Sequence, residues 1–187
     1  MKNLNTYITE YIVKKKLDKP IDSEDHYKYF PKTKEELIEN IEELLDKGET
    51  NLNCIDTSAI TDMSHLFEVF KNISDIDFDV SCWDVSNVEN MKNMFDNCHN
   101  FIGKGLENWN VSNVTNMKYM FNNCENFNCD LSKWDVSNVK DMSCMFYNCK
   151  KFTCKGLENW DVSKVEDMTV MFYNCNNLKN IPDWFWK

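Results

Sequence analysis

Four cysteines recur along the chain at an almost constant spacing, and their thiols are the first groups that could do chemistry. Cys98, Cys124, Cys149 and Cys175 are separated by 26, 25 and 26 residues, so stacked repeats would place them in one row. Thiolates in a row could bind a metal ion. Zinc sites, however, need about four ligands that converge on one point, and no CxxC pair occurs in the sequence. Because each of these cysteines ends an apolar stretch, we expect small buried core residues and no metal site.

Aspartate and serine form a second recurring pattern. Asp84, Asn110, Asp135 and Asp161 occupy one position of the repeat, and Ser86, Ser112, Ser137 and Ser163 follow two residues later. Stacked carboxylates raise one another's pKa unless a cation pairs with them, so a calcium site is one hypothesis. The other is that Asp and Ser hydrogen-bond to the backbone at a corner and cap a helix. We favour the second, because it explains why the two residues recur as a pair.

The histidines do not suggest catalysis. His26, His65 and His99 lie in three different sequence contexts, and none stands beside a cysteine or acid in a recurring nucleophile arrangement. Phosphate-binding Gly-rich loops and the HExxH pattern are absent from the sequence. We therefore expect a protein that is not an enzyme and needs no cofactor.

Internal repeats are the elements that must position these rows. WDVSNV from Trp83 returns as WNVSNV from Trp109, WDVSNV from Trp134 and WDVSKV from Trp160, and a more divergent copy begins at Ile55. A period in the twenties is typical of solenoids, in which a unit buries its apolar face only by stacking on its neighbours.

Within one repeat the apolar spacing changes from that of a strand to that of a helix. Trp109 and Val111 alternate with polar residues, which predicts a short strand with one buried face. Four apolar residues then follow at the spacing of one helical stripe of about three turns. They are Val114, Met117, Phe121 and Cys124. Each repeat is therefore predicted to contain one strand and one helix.

Three segments are predicted along the chain. Residues 1–22 form an amphipathic helical leader, because apolar residues recur there at helical spacing before Pro20. Residues 23–50 form a linker and a capping helix that begins with the capping-box pattern of Thr33 and Glu36 and ends at Gly48. Residues 51–187 form the repeat solenoid, whose final IPDWFWK breaks the repeat and is expected to close the last coil. The capping helix is expected to cover the other end.

Composition argues against several classes of partner. The chain has 21 basic and 31 acidic residues, a formal net charge of −10, and every basic residue is lysine. Nucleic-acid recognition depends on dense Lys and Arg, so DNA and RNA are not expected partners. No segment approaches the ~20 apolar residues of a membrane span. The N-terminus lacks a secretory signal, which predicts a cytoplasmic protein whose nine cysteines are free thiols.

The repeated string resembles the BspA-like leucine-rich-repeat surface proteins, specifically the bacterial branch with repeats of the form WDVSNVTNMSYMFSGC. The resemblance covers residues 51 to about 184 and is carried by residues 83–98, 109–124, 134–149 and 160–175. It implies a right-handed leucine-rich-repeat-like solenoid and a family associated with the cell surface, adhesion and protein binding. The fold class expected is α/β: such a solenoid of about five coils, with a short parallel strand plus a helix per repeat and an N-terminal helical cap. The chain departs from the family at Ile55, which replaces Trp, and in lacking a signal and an anchor.

The residues between the inward-facing Trp and Val are expected to form an exposed binding face. Besides the Asp and Ser rows, this face carries a third row of Cys54, Cys82, Asn108, Lys133 and Asn159. We expect a non-enzymatic module that binds a protein partner there. One alternative is a structural or assembly protein that docks through its N-terminal helix; residues 1–20 resemble short leaders on some gut-bacteriophage proteins. The other is the surface adhesin that the family resemblance implies.

Overall fold

The computed structural model describes residues 27–70, 73–179 and 181–186. Helix α1 spans Lys34–Asp46, in the segment where the sequence predicts a helix. The Thr33 hydroxyl accepts a hydrogen bond from the Glu36 N–H at 3.2 Å, and the Glu36 carboxylate accepts one from the Lys32 N–H at 2.6 Å. These two bonds satisfy backbone donors at the start of the helix. The predicted leader, residues 1–22, lies outside the described residues.

Helix α1 contacts the first repeat through one apolar face and one lysine. Leu37, Ile41 and Leu44 are buried and belong to the same apolar core as the repeats. The Lys34 ammonium lies 3.0 Å from Asp62 Oδ2 and donates to the carbonyl of Ser64 at 3.2 Å. The helix is therefore fixed to the chain that follows it. Among the described residues, no helix has the length and apolar character needed to cross a membrane.

The predicted α/β solenoid, with a strand and a helix in each coil and a helical cap, is wrong. Apart from α1, the described ranges contain only the short 3-10 helices Ile73–Asp75, Leu106–Asn108 and Asp183–Trp186. Parallel pairing between neighbouring repeats is confined to isolated residue pairs, so no strand or sheet forms in this part of the chain. The pairs are Tyr29 with Ile55, Asn51 with Asp79, Asp62 with Asn90, Asn90 with Asn116, Asn116 with Asp141, and Asp141 with Asp167. We divide the repeats into units of residues 51–78, 79–104, 105–129, 130–155 and 156–179. Each unit is built mainly from turns.

Left-handed residues replace the predicted helix in each unit. Tyr119 has φ 56° and Asn123, four residues later, has φ 58°, so the backbone is left-handed at two positions of this stretch and cannot continue an α-helix. Met120 N–H still bonds to the Met117 carbonyl at 3.1 Å, as in a single turn. Successive turns of four residues bury every third or fourth side chain, which is why the sequence carries a helical pattern.

Backbone hydrogen bonds between units take the place of those inside a helix. In the unit of residues 105–129, alternate N–H groups donate to alternate carbonyls of the next unit at 2.9 to 3.0 Å. The bonds join Met117 to Asp141, Tyr119 to Ser143, Phe121 to Met145 and Asn123 to Tyr147. The same four-bond ladder joins the units that begin at residues 79 and 105. Stacking of units therefore satisfies the polar backbone.

The predicted inward orientation of the tryptophans is confirmed. Trp83, Trp109, Trp134 and Trp160 are only 4 to 6% exposed, although no strand holds them. Each indole N–H donates to a carbonyl of the preceding unit, for example Trp134 to Leu106 at 2.7 Å. Trp184 follows the same rule, with a bond to Leu157 at 2.8 Å and a ring stacked 6.4 Å from that of Trp160. The prediction that the terminal segment breaks the repeat is therefore wrong at Trp184, which continues the row.

A column of phenylalanines runs through the centre of the units. Rings of neighbouring units lie 5.3 to 5.8 Å apart and within 12° of parallel. The column consists of Phe67, Phe95, Phe121, Phe146 and Phe172. A second row, Phe101, Phe127 and Phe152, packs on it at 4.1 to 4.4 Å. Aromatic burial supplies much of the apolar area that holds the units together.

We expect Trp134→Ala to lower the free energy of unfolding by about 3 to 5 kcal/mol, since it removes a buried ring and leaves a cavity. Trp134→Phe keeps a ring but lacks the N–H that bonds to Leu106, and it should cost less than the alanine change. Chemical denaturation measures both. Losses for Trp134→Ala within ~0.5 kcal/mol of wild type would contradict the buried position of this ring.

Val170 occupies a left-handed position that suits it poorly. Its φ is 49°, and a β-branched residue in that region is strained. Because Val170 is 46% exposed, replacing it removes little burial. Val170→Asn should therefore stabilise the protein by about 1 kcal/mol, the scale of a left-handed penalty. Val69, which is 56% exposed without a left-handed backbone, provides the control: Val69→Asn should leave the melting temperature unchanged. Equal responses of the two variants would refute backbone strain at Val170.

Candidate binding face

The aspartates and Asn110 of the predicted face are exposed, and each side chain fixes a turn. Asp135 Oδ1 accepts a hydrogen bond from the N–H of Ser137 at 3.1 Å, and Asn110 Oδ1 accepts one from Ser112 at 3.2 Å. The same bond joins Asp84 to Ser86, Asp161 to Ser163 and Asp56 to Ser58, at 2.9 to 3.0 Å. A side-chain oxygen that bonds two residues ahead in this way defines an Asx turn. The hypothesis that these residues bond to the backbone at a corner is confirmed, although no helix follows the corner.

Two carboxylates of this row, those of Asp135 and Asp161, have a lowered pKa and are therefore held in the ionised form. Hydrogen bonds from the Ser137 side chain and backbone lower the pKa of Asp135, and they outweigh the opposing charge of Asp161. Equivalent bonds from Ser163 lower the pKa of Asp161. The expected repulsion between stacked carboxylates is present, because Asp161 raises the pKa of Asp135, but the hydrogen bonds from Ser137 are the larger effect.

A row of asparagines next to the serines was missed by the sequence reasoning. The Asn113 side-chain amide donates to the Ser86 carbonyl at 2.7 Å, and Asn138 donates to Ser112 at 2.8 Å. Lys164 takes the next position and donates to Asn138 Oδ1 at 2.7 Å. The signal was present in the string WDVSNV, whose fifth residue recurs as faithfully as the aspartate. These hydrogen bonds join one unit to the next on the exposed surface.

A shallow groove of about 710 Å³ runs along this asparagine row. Its lining residues alternate between two positions of the repeat and are contributed by all five units. They are Ser58, Ala59, Thr61, Asn87, Glu89, Asn113, Thr115, Asn138, Lys140 and Lys164. Beside the Asp row, Lys133 is exposed, with its ammonium 3.1 Å from Asn108 Oδ1. The structure thus brings the predicted rows together on one face, with a polar groove along it.

The cysteines do not form a metal site in the described part of the chain. No group of three or more His, Cys, Asp or Glu side chains converges there to hold an ion. Cys124 and Cys149 are buried, and each thiol donates to a carbonyl of the preceding unit at 3.0 Å. Burial raises the pKa of Cys129 and Cys154 to about 12. The two loop thiols are therefore held in the neutral form at neutral pH, in which a thiol is a poor nucleophile.

Comparison with known proteins identifies one family. The model of a family described as "Mycoplasma protein of unknown function, DUF285" matches residues 68–184, more than half of the chain. No curated protein and no solved structure matches the chain.

The Asx turn and the charge at Asp135 can be separated by two substitutions. Asp135→Ala removes the acceptor of the Ser137 N–H, and it should lower the free energy of unfolding by about 0.5 to 1 kcal/mol. Asp135→Asn keeps an acceptor, as Asn110 does in the preceding unit, and should match wild type. Chemical denaturation gives both values. Equal stability of the alanine and asparagine variants would show that the turn does not need this bond.

Proposed function

Since the chain belongs to the DUF285 family, whose description assigns no activity, we propose from its own residues that it is a non-enzymatic protein-binding module. The partner binds an exposed face that consists of the Asp row, the Ser row, the row that contains Lys133 and the groove beside them. One observation carries this proposal: exposed aspartates recur at one position in three of the four units that begin at residues 79, 105, 130 and 156, and Asx turns fix their orientation. The chemistry of such a face suits a partner with a basic surface.

Rigidity of the face supports binding of a partner. Asx turns fix Asp84, Asp135 and Asp161, and the asparagine amides join one unit to the next. Side chains that are already ordered lose little conformational entropy when a partner binds. A face of this kind presents its charges in a fixed pattern, which favours recognition of one complementary surface.

Charge supports a basic partner. The chain has a formal net charge of −10, and the pKa values of Asp135 and Asp161 are lowered, so both are ionised at neutral pH. Exposed carboxylates steer a cationic partner towards the face, and salt screens this attraction over about 10 Å. The association rate is therefore expected to fall as the salt concentration rises.

The family resemblance of the repeated string supports the same activity. BspA-like proteins are associated with adhesion and protein binding, and residues 83–98 carry the string that this resemblance rests on. An adhesin and an internal binding module would use the same face and would differ in location. Binding of a protein partner is thus the function common to both hypotheses.

Removing charge while keeping the turns tests the proposal. The double variant Asp135→Asn/Asp161→Asn should recover less of the partner that wild type captures from a lysate of the native host. With the purified partner, association should slow on the order of fivefold at low salt, while the melting temperature stays within about 1 °C, since both turns remain. Quantitative mass spectrometry of the captured proteins, followed by binding kinetics, measures this.

A matched control carries the same change in net charge elsewhere. Asp46 and Asp77 are exposed and lie outside the three rows, so Asp46→Asn/Asp77→Asn should bind like wild type. Equal capture by wild type and the face variant would refute the proposal. Equal losses in both double variants would mean that overall charge, and not this face, determines binding.

A further inference from the structure

The segment before helix α1 adds a further edge to the binding face. Tyr29 pairs in parallel with Ile55, and the Asp56 N–H donates to the Tyr29 carbonyl at 2.9 Å. The Lys28 N–H donates to the Cys54 carbonyl at 2.8 Å. This pairing gives Tyr29 the inward position that Ile55 and the tryptophans hold, and it places Phe30 beside the outward position of Asp56.

Phe30 is an exposed ring at the edge of an otherwise polar face. Its side chain is 50% exposed, whereas the phenylalanines of the central column are at most 7% exposed. The ring of Tyr27 lies edge-on to it, with centroids 6.4 Å apart and planes at 78°. Two aromatic rings therefore flank the acidic row where it begins, and one of them presents half of its surface to solvent.

The carboxylates of Asp56 and Asp84 act on this aromatic pair through Tyr27. Burial raises the pKa of Tyr27, and the carboxylates of Asp56 and Asp84 raise it further, which shows that their potential reaches the ring. No lysine among the described residues forms an ion pair with Asp56 or Asp84. Elsewhere, Asp79 pairs with Lys104 at 3.5 Å and Asp130 with Lys155 at 2.8 Å. The negative charge beside Phe30 is thus left without a cation from this part of the chain.

We infer that this edge binds an arginine side chain of a basic peptide segment, with the guanidinium over the Phe30 ring and paired with the carboxylates of Asp56 and Asp84. The inference rests on the proposed function, and it adds the chemistry of the partner and the place where its charged residue binds. A guanidinium stacks on an aromatic face and is more weakly hydrated than an ammonium, so arginine suits the site better than lysine. The acidic row then guides the rest of the segment along the face.

Fluorescence anisotropy with labelled octa-arginine and the full chain tests this directly. Phe30→Ala and Phe30→Leu should each weaken binding about threefold, because both remove the ring quadrupole and leucine retains apolar bulk. Phe30→Trp should tighten binding, since tryptophan offers the strongest cation–π surface. Octalysine should bind less tightly than octa-arginine to wild type, and this difference should shrink in Phe30→Leu.

Two aspartate variants test which carboxylates pair with the arginine side chain. Asp84→Asn keeps its Asx turn and should weaken octa-arginine binding more than Asp161→Asn, which makes the same change at the far end of the row. Equal losses in these two variants, an unchanged affinity in Phe30→Leu, or no binding of octa-arginine to wild type would each overturn the inference. In those cases, loss of the captured partner in Asp135→Asn/Asp161→Asn would still support the proposed function. If Asp135→Asn/Asp161→Asn retained the partner while octa-arginine bound at Phe30, the arginine site and the partner-binding face would be two different sites.

Discussion

Hydrogen bonding of the backbone from one unit to the next is the constraint on which the rest of the structure depends. Four N–H groups of one turn region, spaced two residues apart, donate to four carbonyls of the following unit. The described part of the repeats contains neither long helices nor strands, so its buried polar groups must be satisfied in some other way. Here that requirement keeps successive units in one register, so a side chain always meets its counterpart in the neighbouring unit. The phenylalanine column, the tryptophan row and the asparagine row all follow from this alignment.

Polar side chains form hydrogen bonds with backbone groups that the ladder between units leaves without a partner. The Asx turns of Asp84 and Asp141 each take up an N–H at a corner, and indole and thiol donors, such as those of Trp134 and Cys149, bond to carbonyls of the preceding unit. Among the described residues, no buried side-chain nitrogen or oxygen lacks a hydrogen-bond partner. Most residues that recur in the sequence therefore recur for structural reasons. The charge of the exposed aspartates remains available for binding, because the turn needs only one oxygen of each side chain.

The sequence was sufficient to predict which side chains face inward, but not which backbone holds them. Alternation around Trp109 and Val111 correctly predicts their burial, because a turn-rich chain also alternates there. The spacing of Val114, Met117, Phe121 and Cys124 fits a helix and a series of four-residue turns equally well, since both bury every third or fourth residue. Asparagine at Asn97, Asn123, Asn148 and Asn174 was the available signal for left-handed turns. Tyr119 and Val170 gave none, because such residues rarely adopt this conformation. Trp184 could have been found from Ile181, which stands three residues before it as Leu131 stands before Trp134.

Stacking constrains some positions of each unit and leaves others free. The constrained positions have a structural role, whereas the free positions are available for binding. Trp, the two Val positions, Met and Phe are repeated because the neighbouring unit fixes what fits. The outward position just before the tryptophan is different: it holds Cys82, Asn108, Lys133 and Asn159 in successive units, and no ladder depends on it. Its side chains can vary without loss of stacking, and they lie beside aspartates whose orientation is fixed. A partner bound to this face therefore meets a row that is acidic except at Asn110, and a variable row next to it. The acidic row favours a basic surface, whereas residues such as Lys133 determine which basic surface fits.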